Sequence, residues 1–244
     1  ATKAGFDEIE PPILVNADSA RGTGNLPDKE GQMYYCNEDQ FYLIPTAEIP
    51  VTNIVRGEIL EEKNLPIKMT AFTPCFRREA GSYGAHVRGL NRLHQFDKVE
   101  IVLIDKPENS YKTHQSMLRH VSGLLNKLEL PYRILRLCGG DMGFSSACTF
   151  DFEVFSAAQP SLDGSETLGR WLEVSSVSNF ETFQTNRMQT RYRDSEGKIQ
   201  LCHSLNGSAM ALPRIVAALL ENNQTPQGIK IPKVLQKYTG FSMI

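Results

Sequence analysis

FRREAGSYGAHVRGLNRLHQFDKVE, residues 76–100, sets two arginine-bearing strands on either side of a glycine-rich turn. Ahead of it, residues 67–75 (IKMTAFTPC) alternate their side chains as a half-buried strand does. Behind it, residues 97–104 (DKVEIVLI) form a nearly continuous apolar strand with Glu100 inside the fold. A hairpin of this kind suits a triphosphate. Arg77 and Arg92 supply guanidinium forks for phosphate oxygens, Glu79 an acceptor for an amino group, and Phe96 a ring on which a base stacks. Each is common alone; together they are not.

Working outward, 244 residues with 41% apolar content are enough for one sizeable core, so a single domain over 1–244 is expected. With 26 basic and 28 acidic residues the net charge is −2, which does not mark the whole chain as an electrostatic binder of nucleic acid. Any such contact must be local. Cys36, Cys75, Cys138, Cys148 and Cys202 show neither close pairing nor metal-ligand spacing, a pattern that favours reduced thiols in a cytoplasmic protein. No apolar run approaches the roughly 20 residues that span a bilayer, so no membrane partner is expected. The chain contains no Walker loop, dinucleotide fingerprint or internal repeat.

Residues 108–130 place Tyr111, His114, Leu118, Val121, Leu125 and Leu128 at three- and four-residue steps ahead of Pro131, predicting an amphipathic covering helix. Strands are predicted at 132–138, 149–155, 171–177, 184–193 and 199–205, with a hairpin turn at residues 194–198 (DSEGK). On the 184–193 strand Arg187, Arg191 and Arg193 would share one face and form ion pairs. Leu212, Ile215, Val216, Leu219 and Leu220 form the stripe of another helix, with Pro213 near its start and Pro226 beyond its end. Many neighbouring strands with helices at a few places predict an α+β fold on a mainly antiparallel sheet. Residues 160–169 (PSLDGSETLG) read as an inserted surface loop, a lid or an ordinary tolerated insertion.

The residues 76–100 resemble motif 2 of class II aminoacyl-tRNA synthetases, in the wording of the seryl-tRNA synthetase family. Residues 205–223 (LNGSAMALPRIVAALLENN) resemble its motif 3, and Thr46, Ala47 and Glu48 its serine-recognition triplet. Residues 5–27 resemble the tail of motif 1 and the loop after it. The resemblance covers about Gly5 to Phe241 and implies the class II fold. It begins inside motif 1, and Ala1 is not a methionine, so the chain reads as a fragment without the family's amino-terminal coiled-coil arm. Much of the motif 1 helix, which forms the family's homodimer interface, would be missing too.

By this resemblance the reaction is in-line attack of the serine carboxylate on the α-phosphorus of ATP, followed by transfer to the terminal ribose of tRNA(Ser). Arg77 would contact the α-phosphate and the carboxylate, Arg92 the outer phosphates, and Arg214 the nucleotide from the other side. Arg78, Glu79, Leu93, Phe96 and the run Glu173, Val174, Ser175 and Ser176 would line the nucleotide site. Glu173 and Ser176 are oxygen donors matching the family's Mg2+ pair. Thr46, Ala47, Glu48, Glu100, Asn206 and Ser208 would form the serine pocket, Glu100 pairing with the ammonium or the hydroxyl. His94 reads as a strand histidine making local hydrogen bonds. His86 and Arg88 lie in the loop where, by the resemblance, the family reads the acceptor end of tRNA, with a merely exposed loop as the alternative. Two alternatives stand beside the ligase: an armless paralogue that loads a carrier protein, and a non-catalytic pseudo-synthetase.

Overall fold

The computed structural model describes residues 1–79, 89–160 and 168–244. His86, Arg88 and the glycine-rich turn lie outside the described residues, as do residues 161–167 of the expected insertion.

Seven strands form the central sheet: β1 (Asp7–Glu8), β2 (Ile67–Phe76), β3 (Gln95–Asp105), β4 (Tyr132–Arg136), β5 (Cys148–Pro160), β6 (Leu168–Glu181) and β7 (His203–Ala211). Their order is β1-β2-β3-β7-β6-β5-β4. β1 pairs with β2 in parallel and the other pairings are antiparallel. The expected α+β architecture is the one observed.

Helices cover one face of this sheet. α3 (Pro107–Lys127) and α5 (Leu212–Asn222) each begin with a proline in the first turn, where a missing N–H costs nothing. From α3 the residues Met117, Val121 and Leu125, and from α5 Ile215 and Ala218, pack on Ile101, Leu103, Phe152, Val154, Val177 and Leu205 of the strands. Two expected stripe positions are exposed. Tyr111 is 49% exposed and donates its hydroxyl to Glu181 Oε1 at 2.8 Å, and Val216 is 45% exposed. Met117 and Ala218 take the inward places, because the buried arc of each helix is set by the sheet beneath it.

The other face carries Met69, Ala71, Val102 and Ile104, half covered by Ala47, Val51 and Val55 in and around α2 (Glu48–Thr52). The uncovered remainder of this face holds the polar groups described below.

Three expected element bounds are corrected. Residues 184–193 are not one strand: α4 (Phe183–Met188) is followed by a short strand, Arg191–Arg193. Gln184, Thr185 and Met188 are buried at helical spacing, and Gln189 closes the helix at φ 57°. Consequently Arg187 stands apart from the strand face, its guanidinium 3.9 Å from the Phe183 ring centroid, while Arg191 and Arg193 donate to the carbonyls of Gln189 and Gly197. The span expected as a loop from 160 to 169 is narrower, since Pro160 closes β5 and pairs with Leu168 at the start of β6. Finally, Arg77 and Arg92 lie just beyond the ends of β2 and β3 rather than within them. The 194–198 turn forms as expected, with Asp194 N bonded to Lys198 O at 3.0 Å.

Candidate functional site: a guanidinium-lined cavity over the sheet

β2 and β3 pair in register from Ile67↔Ile104 to Phe76↔Gln95, and one further bond, Arg77 N to His94 O at 2.9 Å, carries the ladder past the strand end. This fixes the root of Arg77, whose guanidinium sits 5.3 Å from the Phe96 ring centroid. Glu79, at φ 52°, turns back so that Oε2 accepts from an Arg92 guanidinium N–H at 2.6 Å. His94, expected as a strand histidine with local hydrogen bonds, lies one residue ahead of β3, and its Nδ1 meets the Tyr34 hydroxyl, 60 residues away, at 2.5 Å.

Arg214 enters from the first turn of α5, donating from Nε to Asn91 O at 3.1 Å and from its terminal nitrogen to Glu173 O at 2.6 Å. Burial lowers its pKa, while the neighbouring Glu173 and Glu79 oppose that shift and Arg92 and Arg77 add to it. Three guanidiniums and two carboxylates therefore share one field. A cavity of about 100 Å³ is bounded by Arg77, Glu79, Leu93, Phe96, Glu173 and Arg214, while Arg92 lines the clefts on either side of it. An open cleft of about 410 Å³ adjoins it, sharing Arg77 and Glu79 and reaching Thr46 and Phe144.

Below the cavity is a buried polar network. Lys98 (4% exposed) bonds Glu100 Oε2 at 2.6 Å, Thr46 Oγ1 at 2.8 Å and Ser208 Oγ at 3.3 Å. Glu100 (0% exposed) also accepts from Thr46 and from the Asn206 amide. The carboxylate expected to await an ammonium is thus already paired with Lys98. Lys98 escaped the sequence reading, although its signal was present: two residues before Glu100 on a strand puts both side chains on the same face.

Glu48, half-buried, keeps a carboxylate beside this network. Its pKa is raised to about 7, first by burial and next by Glu100, against the Gln184 hydrogen bond and the charges of Lys98 and Arg77. Ala47 and Arg78, both expected as lining residues, are placed elsewhere, and Arg92 and Ser176 also lie outside the wall of the 100 Å³ cavity. Ala47 is fully buried in the apolar cluster under α2, and Arg78 is held through its backbone N–H on Gln32 O at 2.8 Å, away from the cavity wall.

Glu173 and Ser176 are three apart on β6, a spacing that regular pleating would send to opposite faces. A bulge between Glu173 and Ser175 corrects this: Glu173 pairs with Glu153 and Ser176 with Asp151, and those partners are two apart on β5. Both donors consequently face the open side. Val174 and Ser175 line the cavity as expected, and Ser175 Oγ donates to Ser208 O, tying β6 to β7. Asp151 bonds Ser176, and its Oδ1 is buried with no hydrogen-bond partner among the described residues. Burial raises its pKa to about 6. An orphaned carboxylate oxygen next to two hard oxygen donors on one face suits a Mg2+ ion.

The model of the tRNA synthetase class II core domain (G, H, P, S and T) matches residues 33–223. The chain belongs to the class II tRNA synthetase core family. Within the class II core, similarity runs to serine–tRNA ligases: that of Salinibacter ruber is 55% identical over 100% of this chain and 55% of its own length, and that of Finegoldia magna 51% identical over 99% and 56%. The chain spans about half the length of these curated relatives. Among solved structures, the seryl-tRNA synthetase of Pyrococcus horikoshii complexed with ATP superposes at a TM-score of 0.91 with 38% identity, over 100% of this chain and 53% of that one. The class II core of Giardia lamblia prolyl-tRNA synthetase, at 15% identity and a TM-score of 0.80, shares the fold.

Proposed function

We propose that this chain is the adenylate-forming catalytic domain of a serine–tRNA ligase. The observation that carries the reading is a cavity walled by Arg77 and Arg214, with Arg92 lining the clefts beside it, that also reaches Lys98 and Ser208 of the buried Lys98–Glu100–Asn206–Ser208 network. Triphosphate binding needs the first set, and a small hydroxylated amino acid suits the second. The similar Pyrococcus horikoshii protein was solved with ATP, and the similar Naegleria fowleri ligase with AMP.

In this reading a serine carboxylate oxygen attacks the α-phosphorus and the bond to pyrophosphate breaks in line. Arg77 holds the carboxylate and the α-phosphate together, Arg92 spreads over the outer phosphates, and Arg214 closes the opposite side. These fixed charges offset the negative charge that would otherwise keep the two anions apart. Phe96 and Leu93 receive the base, with Glu79 accepting from its amino group. Glu173 and Ser176 would hold Mg2+, positioned by Asp151; bound there, the ion supplies charge neutralisation to phosphate oxygens. Glu48 pairs with the serine ammonium. Lys98 and Glu100, already neutralised by each other, set the pocket depth and present Ser208 and Thr46 to the hydroxyl. Seryl transfer to the tRNA(Ser) terminal ribose follows across the adjoining cleft, in a cytoplasmic homodimer of the full-length protein.

The test is serine-dependent exchange of pyrophosphate into ATP with magnesium, alongside alanine, glycine and threonine. Serine-selective exchange is expected, because a site built to bond a hydroxyl rejects the analogue lacking it by about 10⁴-fold. A folded chain that binds ATP yet shows no serine-dependent exchange refutes the reading.

A further inference from the structure

Gln184 lies on α4, outside every motif that marks the site, yet it is one of the most completely buried polar side chains in the molecule, at 1% exposure. Its Nε2 donates to Thr23 O at 3.1 Å and to Glu48 Oε1 at 2.6 Å, and its Oε1 accepts from Ser204 Oγ at 2.7 Å. The orientation of the amide has one solution. Its nitrogen faces two acceptors and its oxygen faces a hydroxyl, so a flip would set oxygen against oxygen twice. The helix that carries it is pinned as well: Thr185 Oγ1 donates to Cys202 O at 2.5 Å, and Met188 is buried against the small Gly22 of α1 (Ala17–Thr23).

The charges facing Glu48 are Glu100 and Lys98 from β3 and Arg77 beyond β2, and both cations are themselves engaged, Lys98 with Glu100 and Arg77 over Phe96. The Gln184 amide is the group that bonds the Glu48 carboxylate directly and fixes which oxygen stays turned toward the pocket. We propose that Gln184 is a positioning residue for amino-acid recognition, holding the Glu48 carboxylate aimed at the substrate ammonium. This rests on the reading of Glu48 as the ammonium partner. It makes α4, which contributes nothing to the nucleotide site, the support of the amino-acid site alone.

The experiment compares the unaltered chain with Gln184→Glu and Gln184→Met in serine-dependent pyrophosphate exchange, with carboxyl-carbon NMR titration of Glu48 in the free chain. Gln184→Glu keeps the shape and the Ser204 contact but loses the donor; Gln184→Met removes the donor without adding charge. The expected result is a serine KM raised about 10-fold or more, the loss of one charge-assisted hydrogen bond, with the ATP KM within about twofold. The Glu48 titration, and with it the acid limb of the serine profile, moves to higher pH. An unmoved Glu48 titration overturns the proposal, as does a parallel rise of both KM values with a lowered melting temperature, since that is what a purely structural glutamine would give. If the unaltered chain shows no serine-dependent exchange, the function reading itself falls. Normal exchange with unchanged variants sinks this inference only.

Discussion

Arg77 is rooted by a backbone bond one residue past a strand, and its guanidinium lies over Phe96 at the junction of two cavities. Rigid placement of a permanent cation is what an attack of one anion on another requires. Arg77→Ala is expected to lower serine-dependent exchange by roughly 10- to 100-fold, the value of a charge-assisted hydrogen bond of about 1.5–3 kcal/mol. Unchanged exchange would remove Arg77 from the mechanism. Glu48 carries a pH prediction with two opposite signs. Its folded pKa of about 7 lies above the ordinary 4.5, so its contribution to stability is full below 4.5 and is lost as pH rises through about 7. Serine binding needs the anion and strengthens over the same rise. The serine KM should therefore climb as pH falls through about 7 while the ATP KM does not follow, and Glu48→Gln should raise the serine KM and flatten its profile. A serine KM that ignores pH in the unaltered chain would contradict this. At this scale the phosphate-facing arginines were legible because motif wording names them. The partner of Glu100 was not, because sequence spacing gives a shared face but does not say which neighbour satisfies a buried charge.

The bulge in β6 and the reassigned helix α4 show what elements add. Glu173 and Ser176 share a face because an extra residue breaks the pleat between them, a feature invisible to a spacing rule of period two. Similarly, residues 184–193 were read as one strand, a span in which Thr185, Thr190 and Tyr192 have strand propensity, whereas burial of Gln184, Thr185 and Met188 at helical spacing decided the outcome for α4. The helices α3 and α5 were readable because their apolar periodicity runs long enough to exclude a strand. The layer they cover is the main store of stability. Phe152, fully buried between β4 and β6 under α3, should cost about 3–5 kcal/mol when replaced by alanine, measured by urea unfolding. A loss below about 1 kcal/mol would mean that this face is not the core.

Across the whole molecule, nucleotide and amino-acid groups all come from one sheet, the loops at its edge and the first turns of α2 and α5, so adenylation should need no nucleic acid. Pyrophosphate exchange is expected at full rate without tRNA and to be abolished by chelating magnesium; a strict requirement for tRNA would show that the site is assembled only on binding. With a net charge of −2 the chain has no general attraction for a polyanion, and charging should show a high KM for tRNA in a filter-binding or acylation assay. By itself the sequence determined the family, the sheet-plus-helices class and the identities of the arginines, because motif wording and long apolar periods are properties of neighbouring residues. Tertiary structure alone decided that Lys98 neutralises Glu100, that a bulge brings Glu173 and Ser176 to one face, and that Gln184 reaches Glu48 from 136 residues away. Those are matters of which side chains meet, and burial settles them by leaving no polar group an alternative partner in water.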